Sequence, residues 1–477
     1  RAMQAYGALS EAGDGVFALV RSETKTAEQL VEDLRARADV LAASPNYITR
    51  AMQDPDDPRY ASGELWGLKA IRAPEAWDVA TGSTDVYVAV ADTGIYAAHE
   101  DLQPNLDTGL SRNFARAEGA AVDRSDYMDV HGHGTHVAGT IGAVGNNGLG
   151  VAGVSWTTRL IVLRIMGADG SGPDSWTVEA LNYLVSLLRT NPQMKVAALN
   201  LSLGGYVSAA PSAVQSSAYW RAYKVLDDLD RTVIVIAAGN EGLEVGRPAP
   251  YDDPRDPADP VFRRGQYCYP ASFTGLNNMI VVGAMAEGGK GAYFSNWSQT
   301  KVDVAAPGMK IYSTTPKGVE GPGYGSTYGL YGFMSGTSMA APHVAGAAGL
   351  LMSKFPTLKA HELKEAILKG AKPSVNPVAK PFPTKSDYQG INPKEQKLSA
   401  YGFLNVKGAL EWLNTRYPEV PPDPSLKPKP EPQPKPEPRP EPQPTPEPQP
   451  RPEPQPKPEP QPKPEPQPKP SPQLPQE

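Results

Sequence analysis

The chain has 477 residues, 40% of them apolar, which leaves room for two or three folded units and a sizeable core. A formal net charge of −6, with no basic stripe, excludes nucleic acid as its main partner. The single cysteine, Cys268, excludes a framework of intrachain disulfides and reads as a small buried apolar residue.

Residues 1–53 form a small N-terminal unit. No leader of basic, apolar and small residues follows Arg1, and no apolar run reaches the ~18 residues of a membrane span. Val16–Val20 is a short apolar strand. Thr26–Ala38 carries Leu30, Val31 and Leu34 at helical spacing, and Val40–Ala42 is a further strand before the Pro45-Asn46 turn. Such a unit has little core of its own and is expected to lean on the body.

Residues 54–417 are that body. Val86–Ala91, Leu160–Ile165, Val196–Leu201, Val233–Ala237 and Met279–Val282 are apolar runs of strand length. His133–Ala143, Ser175–Leu188, Tyr219–Asp230 and Ser338–Phe355 are helices between or after them. Apolar strands alternating with helices predict an α/β fold, a three-layer sandwich whose mainly parallel sheet is covered on both faces. Ligands sit at the carboxyl ends of such strands.

Residues 418–477 are a linker and tail. From Pro421 onward 27 of 57 residues are proline, in a P-E-P-Q-P-K repeat. Proline at alternate positions removes half the backbone donors and fixes φ. The expectation is a disordered or polyproline II rod of ~3.1 Å per residue, without a core. It is a solvated spacer, or a contact to a cell wall, a surface or proline-binding partners.

Three stretches of the body carry chemistry. Val88-Ala89-Val90-Ala91-Asp92-Thr93-Gly94 ends a buried strand in Asp92. Gly132-His133-Gly134-Thr135-His136 puts His133 at a helix start, with small residues behind it. Gly336-Thr337-Ser338-Met339-Ala340-Ala341-Pro342 puts Ser338 at another. Asp, His and Ser are the parts that activate a hydroxyl: His takes the Ser proton, and Asp fixes the His tautomer and stabilises the imidazolium. A helix start offers an oxyanion unpaired N–H groups and a favourable dipole. Asn240, in Ala237-Ala238-Gly239-Asn240, follows a strand that ends beside the site and supplies a side-chain donor.

In these motifs, and in the order Asp, His, Ser, the chain resembles the subtilisin-family serine proteases from about Asp54 to Asn405. The resemblance implies more positions. Ser202, Leu203 and Gly204 pair with substrate backbone and wall the first specificity pocket. Ala238 and Gly239 form its other wall, and Glu241 stands at its floor, where it would admit Lys or Arg beside large apolar side chains. Gly170, Ser171 and Gly172 lie on an edge strand that takes the substrate as an added strand. A structural calcium is implied, on Asp57, Asp101 and Asn146 with the carbonyls of Val144, Leu149 and Val151. Gly15–Tyr47 resembles the family's inhibitory propeptide, lacking its first strand, with cleavage in 47–59.

Other patterns in the chain compete with these. His131, His133 and His136 could ligate zinc, but two glycines interrupt them and the triad claims His133. Asp92-Thr93-Gly94 and Asp107-Thr108-Gly109 spell the aspartic-protease triplet, too close together for two lobes. His361-Glu362 begins like a metalloprotease helix but lacks the second His. His136 and His343 read as structural. The acidic insertion Tyr251–Asp259 reads as a solvated loop, with a second calcium as the other reading. The functional reading is a secreted or cell-surface serine endopeptidase acting on proteins and peptides, with its N-terminal unit as an internal partner. A surface-displayed binding or adhesion protein on a proline-rich stalk is the alternative.

Overall fold

The computed structural model describes residues 4–12, 15–22, 24–45, 54–255, 260–319, 328–373 and 397–418. The chain divides into two units, Arg1–Glu419 and Val420–Glu477. The second holds the proline-rich repeat and lies outside the described residues, as does part of the expected cleavage stretch.

In the N-terminal unit, β1 (Gln4–Ala12) pairs antiparallel with β2 (Gly15–Arg21). A strand thus precedes Val16–Val20, where the resemblance left one out. Helix α1 (Ala27–Arg35) is shorter than Thr26–Ala38. A capping box sets its start: the Thr26 hydroxyl accepts from the Gln29 N–H while the Gln29 side chain accepts from the Thr26 N–H. Leu30 and Val31 are buried. Val40–Ala42 forms no strand. Among the described residues no strand offers it a ladder, and the Arg35 guanidinium holds the Ala43 carbonyl at 2.9 Å in a loop.

The body is the α/β sandwich. Its central strands are β3 (Val86–Asp92), β4 (Arg112–Asn113), β5 (Arg159–Arg164), β6 (Lys195–Leu201), β8 (Val233–Ala237), β10 (Met279–Ala286), β11 (Lys290–Gly291) and β12 (Val304–Pro307), while β7 (Gly205–Val207) and β9 (Tyr267–Tyr269) pair in a small sheet of their own. They lie in the order β11-β10-β8-β6-β3-β5-β4, with β12 also beside β10. Every pair is parallel except β10 with β11. The two-residue period of β3 sorts its side chains: Val88 and Val90 enter one core, Ala89 and Ala91 the other. The second core takes the apolar stripes of α3 (Asp174–Thr190) and α4 (Ala218–Asp227).

The first core contains α2 (His133–Gly142) and α5 (Thr337–Lys354), which begin with His133 and next to Ser338. Helix α5 is buried nearly all round. Its small residues follow from that: a Cβ at Gly346 would lie 2.8 Å from Val154 Cβ and 2.9 Å from the Ile141 carbonyl. The packing that fixes these two helices therefore fixes where their first residues stand.

Candidate active site

Asp92 is the last residue of β3 and is fully buried. His133 opens α2 after Gly132, whose φ of +104° suits glycine. The two side chains meet: His133 Nδ1 lies 2.7 Å from Asp92 Oδ1. That oxygen also accepts the Thr93 N–H at 2.7 Å. The contact makes Nδ1 the donor and leaves His133 Nε2 to act as a base.

Sequence reading does not single out Thr93 and Asp129, which lock this pair. Asp129 is buried and accepts from five groups: the His131 and Gly132 N–H, the Thr135 N–H and hydroxyl, and the Thr93 hydroxyl. Thr93 Oγ1 in turn accepts the Gly134 N–H at 2.8 Å. One carboxylate thus satisfies the open N-terminus of α2 and ties it to the strand end beside Asp92. The available signal is an Asp just ahead of a helix start.

Burial opposes charge on His133, but the Asp92 carboxylate, by its charge and its hydrogen bond, outweighs burial, and Asp129 adds to it. The pKa of His133 is raised above the ordinary histidine value. A base must be neutral to accept a proton. Activity (kcat/KM) is therefore expected to fall as pH drops through an acid limb whose midpoint lies above about 6.5. A pH–rate profile checks this, and a midpoint at or below that value would contradict it.

Ser338 is the second residue of α5, so its N–H has no carbonyl one turn back within the helix. Asn240 Oδ1 accepts the Thr337 N–H at 2.8 Å and the Thr337 hydroxyl at 3.0 Å. The amide is thereby oriented, and Nδ2 is the group left to donate to a ligand. The Ser338 hydroxyl donates to the Ser202 carbonyl at 3.2 Å, so it must rotate to reach His133.

Thr93, His131, His133, Asn240 and Ser338 all line one cleft of about 730 Å³ at the carboxyl edge of the sheet. Gly170, Ser171, Gly172, Ser202, Leu203, Gly204, Gly239 and Glu241 line it too. Ala238 does not: it is buried behind the wall, where its carbonyl accepts Asn296 Nδ2 at 2.9 Å. Residues 167–172 are no strand. Gly170 has φ +74°, and the Asp169 carboxylate takes the Ser171 N–H and hydroxyl, so the segment turns. Glu241 Oε2 accepts from Tyr206 OH, Asn240 N–H and Asn296 Nδ2. A side chain at Gly239, where φ is +103°, would run into Asn296 and Glu241. Cys268 is buried yet also lines the cleft, and burial pushes its thiol up to about 12.

The proposed ion ligands gather around the 144–151 loop. Asp57 and Asp101 are both fully buried. Asp57 Oδ2 accepts the Asn146 N–H at 2.6 Å, while its Oδ1 is buried with no partner. Asp101 accepts from Asn147 Nδ2, Val151 N–H and Tyr331 OH, and its own carbonyl accepts the Val144 N–H. Burial pushes Asp57 up to about 6. Leu149 is partly exposed on the loop, and Asn146 takes a left-handed turn. No group of three or more His, Cys, Asp or Glu suited to a metal occurs among the described residues. The donors here are two carboxylates, an amide and backbone carbonyls, and one buried oxygen lacks a partner, which fits an oxygen-seeking cation such as calcium.

Three further histidines serve the frame. His136 Nε2 lies 3.0 Å from the Ile311 carbonyl, and burial drives its pKa down to about 3. His343 Nδ1 bonds the Met339 carbonyl, and His361 meets Asp230 at a helix start. His133 and His136 thus take different partners. Asp107 pairs with Arg159. Asp253 of the acidic insertion is engaged by Arg255 and the Val261 N–H, and this pairing holds it at about 2, so its oxygens serve a loop.

A parallel α/β sheet with a buried Asp meeting a cleft-lining His, and a helix-start Ser at its carboxyl edge, is the architecture of a serine peptidase. The chain belongs to the subtilase family, whose sequence profile matches residues 83–401. It is a serine-type endopeptidase. It is 36% identical over 291 residues to the major intracellular serine protease of Bacillus subtilis, covering 60% of this chain and 74% of that one. It is 33% identical over 337 residues to subtilisin E of the same species, covering 69% and 70%. To the extracellular basic protease of Dichelobacter nodosus it is 30% identical over 396 residues, covering 75% and 58%. A solved structure of a protease from Pseudoalteromonas arctica aligns with TM-score 0.56 and 27% identity, over 76% of this chain and 99% of that one. Among the described residues no helix is long and apolar enough to cross a membrane.

Proposed function

We propose that this endopeptidase is secreted and cleaves peptide bonds through an acyl-enzyme on Ser338. Ser338 Oγ attacks the substrate carbonyl carbon as its proton passes to His133 Nε2. Asn240 Nδ2 and the Ser338 N–H receive the oxyanion. His133 then gives the proton to the leaving amine, and the C–N bond breaks. Water repeats the sequence on the ester and frees Ser338. Asp92 keeps His133 oriented and compensates its charge. The substrate lies between residues 170–172 and 202–204. The observation that carries this reading is the 2.7 Å contact of His133 with buried Asp92, in the cleft that also holds Ser338. Secretion is supported by the extracellular relative.

A fluorophosphonate probe tests the assignment. Mass-spectrometric mapping is expected to find the label on Ser338, and His133→Ala to abolish it. Residues 1–53 are the inhibitory unit in this reading, so labelling is expected to speed up once they are removed. Folded protein that stays unlabelled after that removal would overturn the assignment.

A calcium ion on Asp57, Asp101 and Asn146, with the carbonyls of Val144, Leu149 and Val151, would neutralise two buried carboxylates and stiffen the loop. It would serve stability and take no part in bond cleavage. At free calcium a hundredfold above Kd it would add about 2.7 kcal/mol. Chelation is then expected to lower Tm on the order of 5 °C in a domain of this size. Calorimetry with and without EDTA measures this, and an unchanged midpoint would remove the ion.

A further inference from the structure

Helix α5 contains a proline four residues after the candidate nucleophile. Pro342 has no N–H to give to the carbonyl of Ser338, and a proline ring also presses against the carbonyl four residues before it. That carbonyl is nevertheless satisfied. Ser202 Oγ donates to it at 2.8 Å, from a residue that follows β6 and is 4% exposed. The direction of the Ser202 hydroxyl is itself fixed, because Asn200 Nδ2 donates to Ser202 Oγ at 2.9 Å from a fully buried side chain. With that lone pair taken, the Ser202 proton is free to go to the Ser338 carbonyl. In return, the Ser338 hydroxyl donates to the Ser202 carbonyl at 3.2 Å.

We propose that Ser202 is a positioning residue for the nucleophile, and that its hydroxyl replaces the backbone N–H that Pro342 cannot supply. Ser338 is thereby held from both sides. The preceding Thr337 N–H is tied to Asn240, and its own carbonyl is tied to Ser202. A helical N–H partner would have drawn that carbonyl onto the helix axis. The proline releases it sideways, toward the segment that walls the cleft. The nucleophile's backbone is thus bound to the cleft wall, at residue 202. The inference rests on Ser338 as the nucleophile.

A double-mutant cycle tests it. A part-buried carbonyl left without a partner costs up to about a factor of 10 in an equilibrium. Ser202→Ala is expected to lower kcat about 10-fold with KM little changed, and Ser202→Thr, which keeps a hydroxyl, to restore most of it. In Pro342→Ala the new N–H can reach the Ser338 carbonyl, so adding Ser202→Ala there is expected to cost less than about 2-fold. Equal losses in the two backgrounds would overturn the proposal. So would a Ser202→Ala variant that changes only KM. If Pro342→Ala does not fold, the comparison of Ser202→Ala with Ser202→Thr decides: equal kcat in both would overturn it. Wild-type hydrolysis and labelling in the same assay monitor Ser338 itself, so a failure of that reading gives a different result.

Discussion

Ser338→Ala is expected to lower kcat on the order of 10⁶-fold, the magnitude known for subtilisin itself. His133→Ala should cost nearly as much, and the double variant little more than either alone. The reason lies in the geometry. In the proposed mechanism neither side chain acts without the other: a serine hydroxyl is a poor nucleophile until its proton has a destination, and His133, in contact with Asp92 and lining the same cleft, is the proposed base to take it. Additive losses would mean independent roles. Steady-state kinetics on a chromogenic peptide reads the effect directly. A His133→Ala variant that keeps most of its rate would remove the mechanism.

Asn240→Ala is expected to lower kcat about 10²–10³-fold while KM changes little, again the size known for subtilisin. The split between the two constants is the informative part. Asn240 Oδ1 is bound by the Thr337 N–H and hydroxyl, which leaves only Nδ2 for the reacting centre. Negative charge gathers on the substrate oxygen only as the tetrahedral intermediate forms, so the donor helps the transition state more than the bound substrate. Asn240→Ala also strips the Thr337 N–H of its partner at the start of α5. Unfolding by urea, measured alongside, separates that cost from the catalytic one. A variant that loses substrate affinity but keeps kcat would move Asn240 out of the oxyanion site.

Much of the fold was legible in the chain. The five apolar runs are strands of one sheet because residues buried on both faces need no polar alternation. Met279–Val282 grew to Met279–Ala286 because the later residues pair with β11 and β12, which no local pattern announces. The strand Gln4–Ala12 is not legible locally, because small and polar residues in QAYGALSEA blur its alternation. Val40–Ala42 has the apolar run of a strand but no strand partner among the described residues, and an isolated strand has no ladder to hold it. Ala238 lay in the right motif, but it follows the strand end at Ala237, and its side chain packs into the core behind the wall.

The amino-acid sequence by itself determined the sheet-and-helix class and the family motifs from which the reacting groups are proposed, because apolar periodicity and the residues at strand and helix ends are local properties. Only the tertiary structure decided the partnerships. Asp129 meets Thr93 across 36 positions, Ser202 meets Ser338 across 136, and Asn240 meets Thr337 across 97. Hydrogen bonds reach about 3 Å and carry no trace in the order of the chain. They exist because the packed sheet brings three strand ends and two helix starts to one edge, and close packing leaves each buried polar group one place to find its partner.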